Sequence, residues 1–444
     1  MRRINTFLLL FLSATIAQAQ TIIADGEEIN GHFTIEASPY TIEGKAFVAE
    51  NDTLVIDAGV EIQLAASISN TDSDFTYSTL SVGMIRVHGT LMVNGTEEQA
   101  VIFTRVGDEG KWGVILFDET ATDACKIEHA RIEHAGIVRA VVGTNDFPGA
   151  VSFYKNNATI KNSTLINNGK DFGSYSLGCG VVSYNATPTI TNNIIDQSLE
   201  YGIWCISDYG QETTPIITNN LITNNKEGIN LVISNGLIAN NTIANNIDFG
   251  INMMLANPTI VNTIFYNNGA VANSESTGTI SHSLLDEAAI PGDMSDNGGN
   301  FLNGNPEFLN ESTYQLAETS PCINAGTTDT TNLFLPQTDL SGNLRIMGDT
   351  IDMGAFEFFT DDTRINEQDQ PQKLVVYPNP ANNFFRIEGL SINCTIEIYT
   401  ITGKIVKTIN YKNNQLINIS NLPSGIFMIK IDTKKQSSML RLIK

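Results

Sequence analysis

Three residues in the middle of the chain have side chains suited to proton chemistry: Lys170 and Asp171, adjacent in one loop, and Asp208 in another. A lysine beside carboxylates can take a proton next to a uronate carboxylate while the carboxylates hold Ca²⁺. The choice of base is narrow. No arginine lies between Arg139 and Arg345, and the lysines of this region are Lys155, Lys161, Lys170 and Lys226. The same two loops carry aromatics, Phe172 and Tyr175 in the first and Tyr209 in the second, with Trp204 just before the second. Rings next to carboxylates suit stacking on sugars. A long loop with exposed tyrosines is the plainer reading, so no catalytic residue is assigned. Asn70, Asp72 and Asp74 alternate in an earlier loop that could take Ca²⁺ weakly, but a solvated turn explains them more simply. The run at 293–297 (DMSDN) lacks the spacing of a calcium loop. No metal site or other cofactor is assigned. The five histidines are dispersed, which argues against a nucleophile triad.

These residues are positioned by a repeat running from Cys125 to Asp286. Its lead residues are Ile127, Ile160, Ile190, Ile217, Ile238, Ile260 and Ile280, at steps of 33, 30, 27, 21, 22 and 20. Periods of this size mean stacked repeats. A second column precedes the first: Ala150, Gly180, Gly202, Gly228 and Gly250 each open a short strand. Alternation turns Val151/Phe153, Val181/Ser183, Ile203/Cys205, Ile229/Leu231 and Ile251/Met253 inward. Ser152, Val182, Trp204, Asn230 and Asn252 then face outward, a column with no carboxylate. Each coil therefore has at least two strands, stacked in register around one apolar core. In that register Cys205 aligns with Ser183, and Cys179 is offset too far for a disulfide, so both thiols are expected reduced.

Two positions after each lead residue stand His129, Asn162, Asn192, Asn219, Asn240, Asn262 and His282. Equivalent asparagines at a repeated turn can stack and bond to one another and to the backbone, closing the turn's polar groups. A ladder of this kind is the economical reading; a ligand-binding polar stripe is the alternative. The loops at 169–178 and 207–215 are insertions between coils, and insertions in solenoids tend to gather on one binding face.

The ends differ from the middle. Arg2 and Arg3, the apolar run from Phe7 to Ile16 and Ala17-Gln18-Ala19 read as a secretory signal peptide over residues 1–19. No later stretch is apolar enough for a transmembrane segment. Residues 20–372 hold 13 Lys and Arg against 45 Asp and Glu, a net of −32, whereas residues 373–444 hold 10 against 3, a net of +7. Such acidity argues against nucleic acid as a partner. The change of sign marks a boundary, after a polar linker at 359–372.

Three stretches resemble known families. LVIDAGVEIQL, GTLMVNGTEEQAVIFT and KWGVILFDE resemble the opening of secreted right-handed parallel β-helix proteins, so residues 20–120 are expected to form the N-terminal cap and first coils. With the repeat, the resemblance is to the pectate-lyase-like superfamily. Ser320-Pro321-Cys322-Ile323, Ala325-Gly326, Asp339-Leu340, Gly342-Asn343, Arg345, Asp352 and Gly354-Ala355-Phe356-Glu357-Phe358 resemble the tail of exported bacterial β-helix proteins that vary in their surface anchor. Arg345 is expected to be the centre of a structural ion pair. Residues 373–444 read as six or seven short strands of an antiparallel sandwich. They closely resemble the type A sorting domain of the type IX secretion pathway of Bacteroidetes, through Tyr377-Pro378-Asn379-Pro380, Gly403-Lys404, Pro423-Ser424-Gly425 and the basic end.

The expected fold is all-β: a right-handed parallel β-helix over 121–358, with a small antiparallel β-sandwich after it. The resemblance implies the type IX secretion machinery as a partner, through residues 373–444. It also implies a secreted or cell-surface protein whose sorting domain is removed. The expected activity is that of an adhesin or glycan-binding solenoid with extracellular polysaccharide as partner. A uronate lyase or glycoside hydrolase, and a structural surface-layer protein, are the alternatives.

Overall fold

The computed structural model describes residues 20–68, 82–136, 148–171, 176–346, 350–359, 375–388, 394–400, 404–412, 415–423, 425–432 and 437–444. Contacts divide the chain into two units, Met1–Phe358 and Phe359–Lys444. The signal-peptide residues and Asn70, Asp72 and Asp74 lie outside the described residues.

The first unit is a solenoid of three parallel sheets rather than the minimum of two expected. Sheet 1 has nine strands, from Lys45–Val48 to Ala270–Glu275. Sheet 2 has eleven, from Gly31–Phe33 to Ser295–Asp296, and sheet 3 has eleven, from Thr21–Ile23 to Leu284–Leu285. The chain visits sheets 1, 2 and 3 in turn and then begins the next coil. The stacking continues back into the opening region, where Lys45–Val48, Thr53–Asp57 and Glu61–Leu64 already make a full coil.

The lead isoleucines belong to sheet 2 and are direct neighbours in it. Ile127, Ile160, Ile190, Ile217, Ile238, Ile260 and Ile280 pair one to the next and are all buried. Sheet 3 adds Ile132, Leu165, Ile195, Ile222, Ile243, Phe265 and Leu285 to the same core. Each such side chain contributes about 1.5–3 kcal/mol on burial, and β-branched residues suit the pleated, crowded surface. The parallel strands are thus held by a continuous apolar stack that no single coil could make alone.

The described residues of 301–358 form no long strand and pack on the outer faces of sheet 3 and, through Leu333, of sheet 2. Tyr314, Ala355 and Phe356 pack on Leu221 and Ala244, and Met353 and Leu316 on Ile264 and Leu284. Arg345 is the buried centre of this segment. Its Nη1 lies 3.3 Å from Glu357 Oε1, and its Nη2 donates to the Gly354 carbonyl. Asp339 and Asp352, which flank it in the sequence, spend their carboxylates on backbone N–H groups. Asp339 accepts from Ser341, Asn343 and Glu357, and Asp352 accepts from Asn324 and Phe358. Burial lowers the pKa of the Arg345 guanidinium, and the negative charges of Glu357, Asp339 and Asp352 oppose that shift.

Among the described residues the second unit has seven strands in two antiparallel sheets. One holds Val375–Tyr377, Phe384–Glu388 and Ile417–Asn418; the other runs Ile405–Tyr411, Cys394–Thr400, Ile426–Asp432 and Ser437–Ile443. Phe385, Ile387, Ile396, Ile398, Ile429 and Leu442 fill its core.

Candidate functional site

The asparagine column is a turn ladder. His129, Asn162, Asn192, Asn219, Asn240, Asn262 and His282 all have φ between 47° and 58°. This left-handed conformation turns the chain sharply from sheet 2 into sheet 3, and asparagine tolerates it better than most residues. The side chains bond coil to coil: Asn162 Nδ2 to His129 Nε2 at 3.1 Å, Asn192 Nδ2 to Asn162 Oδ1 at 2.6 Å and Asn219 Nδ2 to Asn192 Oδ1 at 2.5 Å. Asn240 breaks the run by donating to the Asp352 carbonyl at 3.0 Å, which leaves Asn219 Oδ1 buried and unpartnered.

Sequence reasoning missed a second, inner ladder. After the first rung, His129, comes Ala130, and after the other six come Ser163, Asn193, Asn220, Asn241, Thr263 and Ser283, all buried. Asn220 Oδ1 accepts the Asn193 N–H at 2.9 Å, and Asn220 Nδ2 donates to the Ile190 carbonyl at 2.9 Å. The turn from sheet 3 to sheet 1 repeats the arrangement with His134, Asn167, Asn224, Asn245 and Asn267 outside and Asn168, Asn225 and Asn246 inside. The recurring Asn-Asn pair was its signal.

The outer face of sheet 1 differs from the column expected there. Ser152 and Val182 are fully buried, within or beside an outer apolar cluster that includes Met84, Leu116, Tyr184 and Cys179. The face also carries a carboxylate. Glu227 Oε2 accepts from Asn230 Nδ2 at 2.8 Å and from Asn252 Nδ2 at 3.1 Å. Strict alternation fails at the glycine column. A Cβ built on Gly228 would lie 2.5 Å from the Gly250 carbonyl and 2.8 Å from Ile243 Cγ2, inside the coil. Gly228 and Ile229 therefore both face inward, which puts Glu227 outside. The same irregularity places Cys179 in the outer cluster while Cys205 lies in the core. All five cysteines are free thiols.

Tyr201 pairs with Glu227 in the sheet and packs against Trp204, ring centroids 5.3 Å apart at 52°. Both rings are partly exposed. Burial, and then the carboxylates of Glu200 and Glu227, push the Tyr201 phenol well above its ordinary value, so it stays a neutral hydroxyl. The face thus combines an aromatic pair, two carboxylates and two carboxamides.

The two insertions leave sheet 1 at opposite edges. The first is an antiparallel hairpin, Lys170–Asp171 against Ser176–Leu177, entering the strand Cys179–Tyr184. Phe172 and Tyr175 lie outside the described residues, as do the side chains of Lys170 and Asp171. The second insertion follows Tyr201–Ile206 and is tied at its base by Ser207 to Thr213 and by Thr213 to Ser234 at 3.1 Å. Tyr209 at its tip is 91% exposed. Asp208 accepts from the Tyr184 hydroxyl and from Asn185 Nδ2 at 2.7 Å, and these bonds hold it below the usual carboxylate range. This corrects the expected trio of Lys170, Asp171 and Asp208. The strand between the hairpin's base and Asp208 is about 17 Å long, so the backbone holds them at opposite edges of the sheet. Among the described residues no three His, Cys, Asp or Glu side chains converge to hold a metal ion.

In the second unit the sorting-motif residues meet the end of the chain. Asn379 Oδ1 accepts the Ile443 N–H at 2.8 Å, and the Arg386 guanidinium lies 5.5 Å from the centroid of the exposed Tyr377 ring. Pro378 and Pro380 flank Asn379 on the surface. Gly425 and Lys444 exchange backbone hydrogen bonds at 2.8 Å, beside the exposed Pro423. The Lys444 ammonium donates to the carbonyls of Ile419, Ser420 and Leu422. Lys404 bonds Thr400 across a hairpin; Gly403 lies outside the described residues.

Residues 149–310 match the family described as the right handed beta helix region, and residues 375–444 match the secretion system C-terminal sorting domain. No curated protein matches the chain. Among the described residues no helix is long and apolar enough to cross a membrane. The sorting domain implies engagement with the secretion machinery and a secreted or cell-surface location. The chain is a parallel β-helix protein that ends in a secretion-system C-terminal sorting domain.

Proposed function

We propose that the exported solenoid binds glycan chains along the outer face of sheet 1, between the two insertions. The observation that carries this reading is the partly exposed Tyr201–Trp204 pair beside Glu227, Asn230 and Asn252. Aromatic rings offer a flat apolar surface to the C–H face of a sugar; Glu227 and Asn230 beside them are buried and bonded to each other, and the half-buried Asn252 is the amide placed to meet its hydroxyls. Tyr209 adds a ring at one border of the face.

A glycan array on the full-length protein tests it. Trp204→Ala should weaken binding roughly tenfold or more with an unchanged melting temperature. Binding that is indifferent to this substitution sinks the assignment of the face.

The hydrolase alternative gains one observation, that Tyr201 follows Glu200 in the chain and pairs with Glu227 in the sheet, which brings two carboxyl groups to one ring. Paired carboxylates are the usual means of glycoside hydrolysis. Turnover of a bound glycan that disappears in Glu227→Gln would favour it over binding alone. A screen for the unsaturated product of uronate lyases addresses the remaining enzymatic reading.

A further inference from the structure

The outer asparagine ladder is buried over its later rungs and open over its earlier ones. Asn219, Asn240 and Asn262 are fully buried. The terminal segment covers the last two through the Asp352 carbonyl and the Gly354 and Thr327 N–H groups. His129, Asn162 and Asn192 are only partly buried. Above them is a cavity of about 440 Å³. The ladder is its floor, Ile194 and Leu340 line its sides, and Ser341 and Gly342 overhang it.

This cavity has a rigid wall. Thr338 and Leu344 bridge antiparallel, and Asp339 caps the turn between them by accepting the Ser341 and Asn343 N–H groups at 2.9 and 2.7 Å. The Asp339 carboxylate is therefore already committed to the protein.

The floor has hydrogen-bonding capacity to spare. A carboxamide carries two N–H donors and two acceptor lone pairs. Asn162 and Asn192 each spend one donor toward the preceding rung and one lone pair toward the following one. One N–H and one lone pair of each remain without a described partner, repeated from coil to coil at about 4.8 Å. Donors and acceptors in equal number match hydroxyl groups, which are both. Ile194 and Leu340 supply aliphatic surface for the C–H face of a ring. Among the described residues no lysine or arginine lines the cavity, Glu97 stands on its rim, and residues 20–372 carry a net charge of −32. An anionic ligand is therefore disfavoured, and the volume falls in the ordinary range for small-molecule sites.

We propose that this cavity is a second carbohydrate site, on a different face from sheet 1, that takes one or two neutral sugar units. It stands on the ladder's geometry and does not depend on the sheet 1 reading. Titration calorimetry on the full-length protein in a Trp204→Ala background removes the sheet 1 platform, so the two readings fail separately. The probes are cellobiose, maltose and, as an anionic counterpart, digalacturonate. A neutral disaccharide should bind saturably, and Thr164→Trp or Ser341→Trp, which fill the cavity, should weaken it at least tenfold without lowering the melting temperature. Digalacturonate should bind at least tenfold more weakly. If a filled variant does not fold, Asn162→Asp keeps the side-chain size and the turn but removes a rung's donors, and should weaken binding by a similar factor. The proposal is overturned if neither neutral disaccharide binds, if binding survives the substitutions, or if digalacturonate binds as tightly.

Discussion

A single carboxamide does two jobs in each turn of this solenoid, depending on its place in the Asn-Asn pair. The first asparagine adopts the left-handed backbone that most residues avoid. The second turns inward and satisfies the N–H and carbonyl groups that the turn leaves unpaired in the core. Asn220 shows the consequence. Its side chain holds the Asn193 N–H, the Ile190 carbonyl and both neighbouring carboxamides, and it is fully buried. Asn220→Ala should destabilise the protein by about 3 kcal/mol or more, since each buried group left unpaired costs about 1–3 kcal/mol. Urea denaturation of the variant checks this, and a loss below about 1 kcal/mol would mean that water replaces the amide. Glycine acts at the same scale. Only glycine fits at 228, because the Gly250 carbonyl comes so close, and the inward turn there puts Glu227 on the outer face.

At the scale of elements, the terminal segment converts the outer face of sheet 3 from an exposed apolar surface into buried core. It is clamped there by Arg345, which meets Glu357 and the Gly354 carbonyl, and by Asp339 and Asp352, which cap backbone N–H groups. Burial, with Asp352 and Asp339 nearby, pushes Glu357 up to about 8 against the pull of Arg345. In the unfolded chain the same carboxyl ionises near 4.5. Between these values the folded protein holds a proton that the unfolded chain has lost, so stability should fall as the pH rises from about 4.5 to 8 and then level off. Glu357→Gln removes the exchangeable proton at constant shape and should flatten that fall. Urea midpoints at pH 5, 6.5 and 8 decide it; parallel curves for variant and parent would assign the pH dependence to other groups.

At the scale of the whole molecule, function is divided between an acidic solenoid and a basic terminal unit, with net charges of −32 over residues 20–372 and +7 over 373–444. Each unit has its own core. The sorting unit serves export, and we propose that it is cut away at the polar stretch of sequence that precedes it. The protein isolated from outside the cell should therefore end near Gln372, as intact mass spectrometry would show. Recovery of exported protein with residues 373–444 still attached would contradict removal of the unit.

The repeat step, the lead isoleucines, the outer asparagine column and the sorting motif were all legible in the sequence. Each is a local pattern that stacking merely copies from coil to coil, so a one-dimensional period carries it. The third sheet was harder to see, because its strands follow the asparagine turn within the same short phrase and look like its continuation. The two insertions were visible as extra length, but only the stacked sheets put them at opposite edges and so separated Lys170 and Asp171 from Asp208. Tertiary structure alone decided which face carries Glu227, because the backbone of the next coil presses on Gly228 and resets the alternation. It also decided which rungs of the ladder stay open. That depends on where a segment more than a hundred residues downstream folds back, and no spacing within the repeat encodes that return.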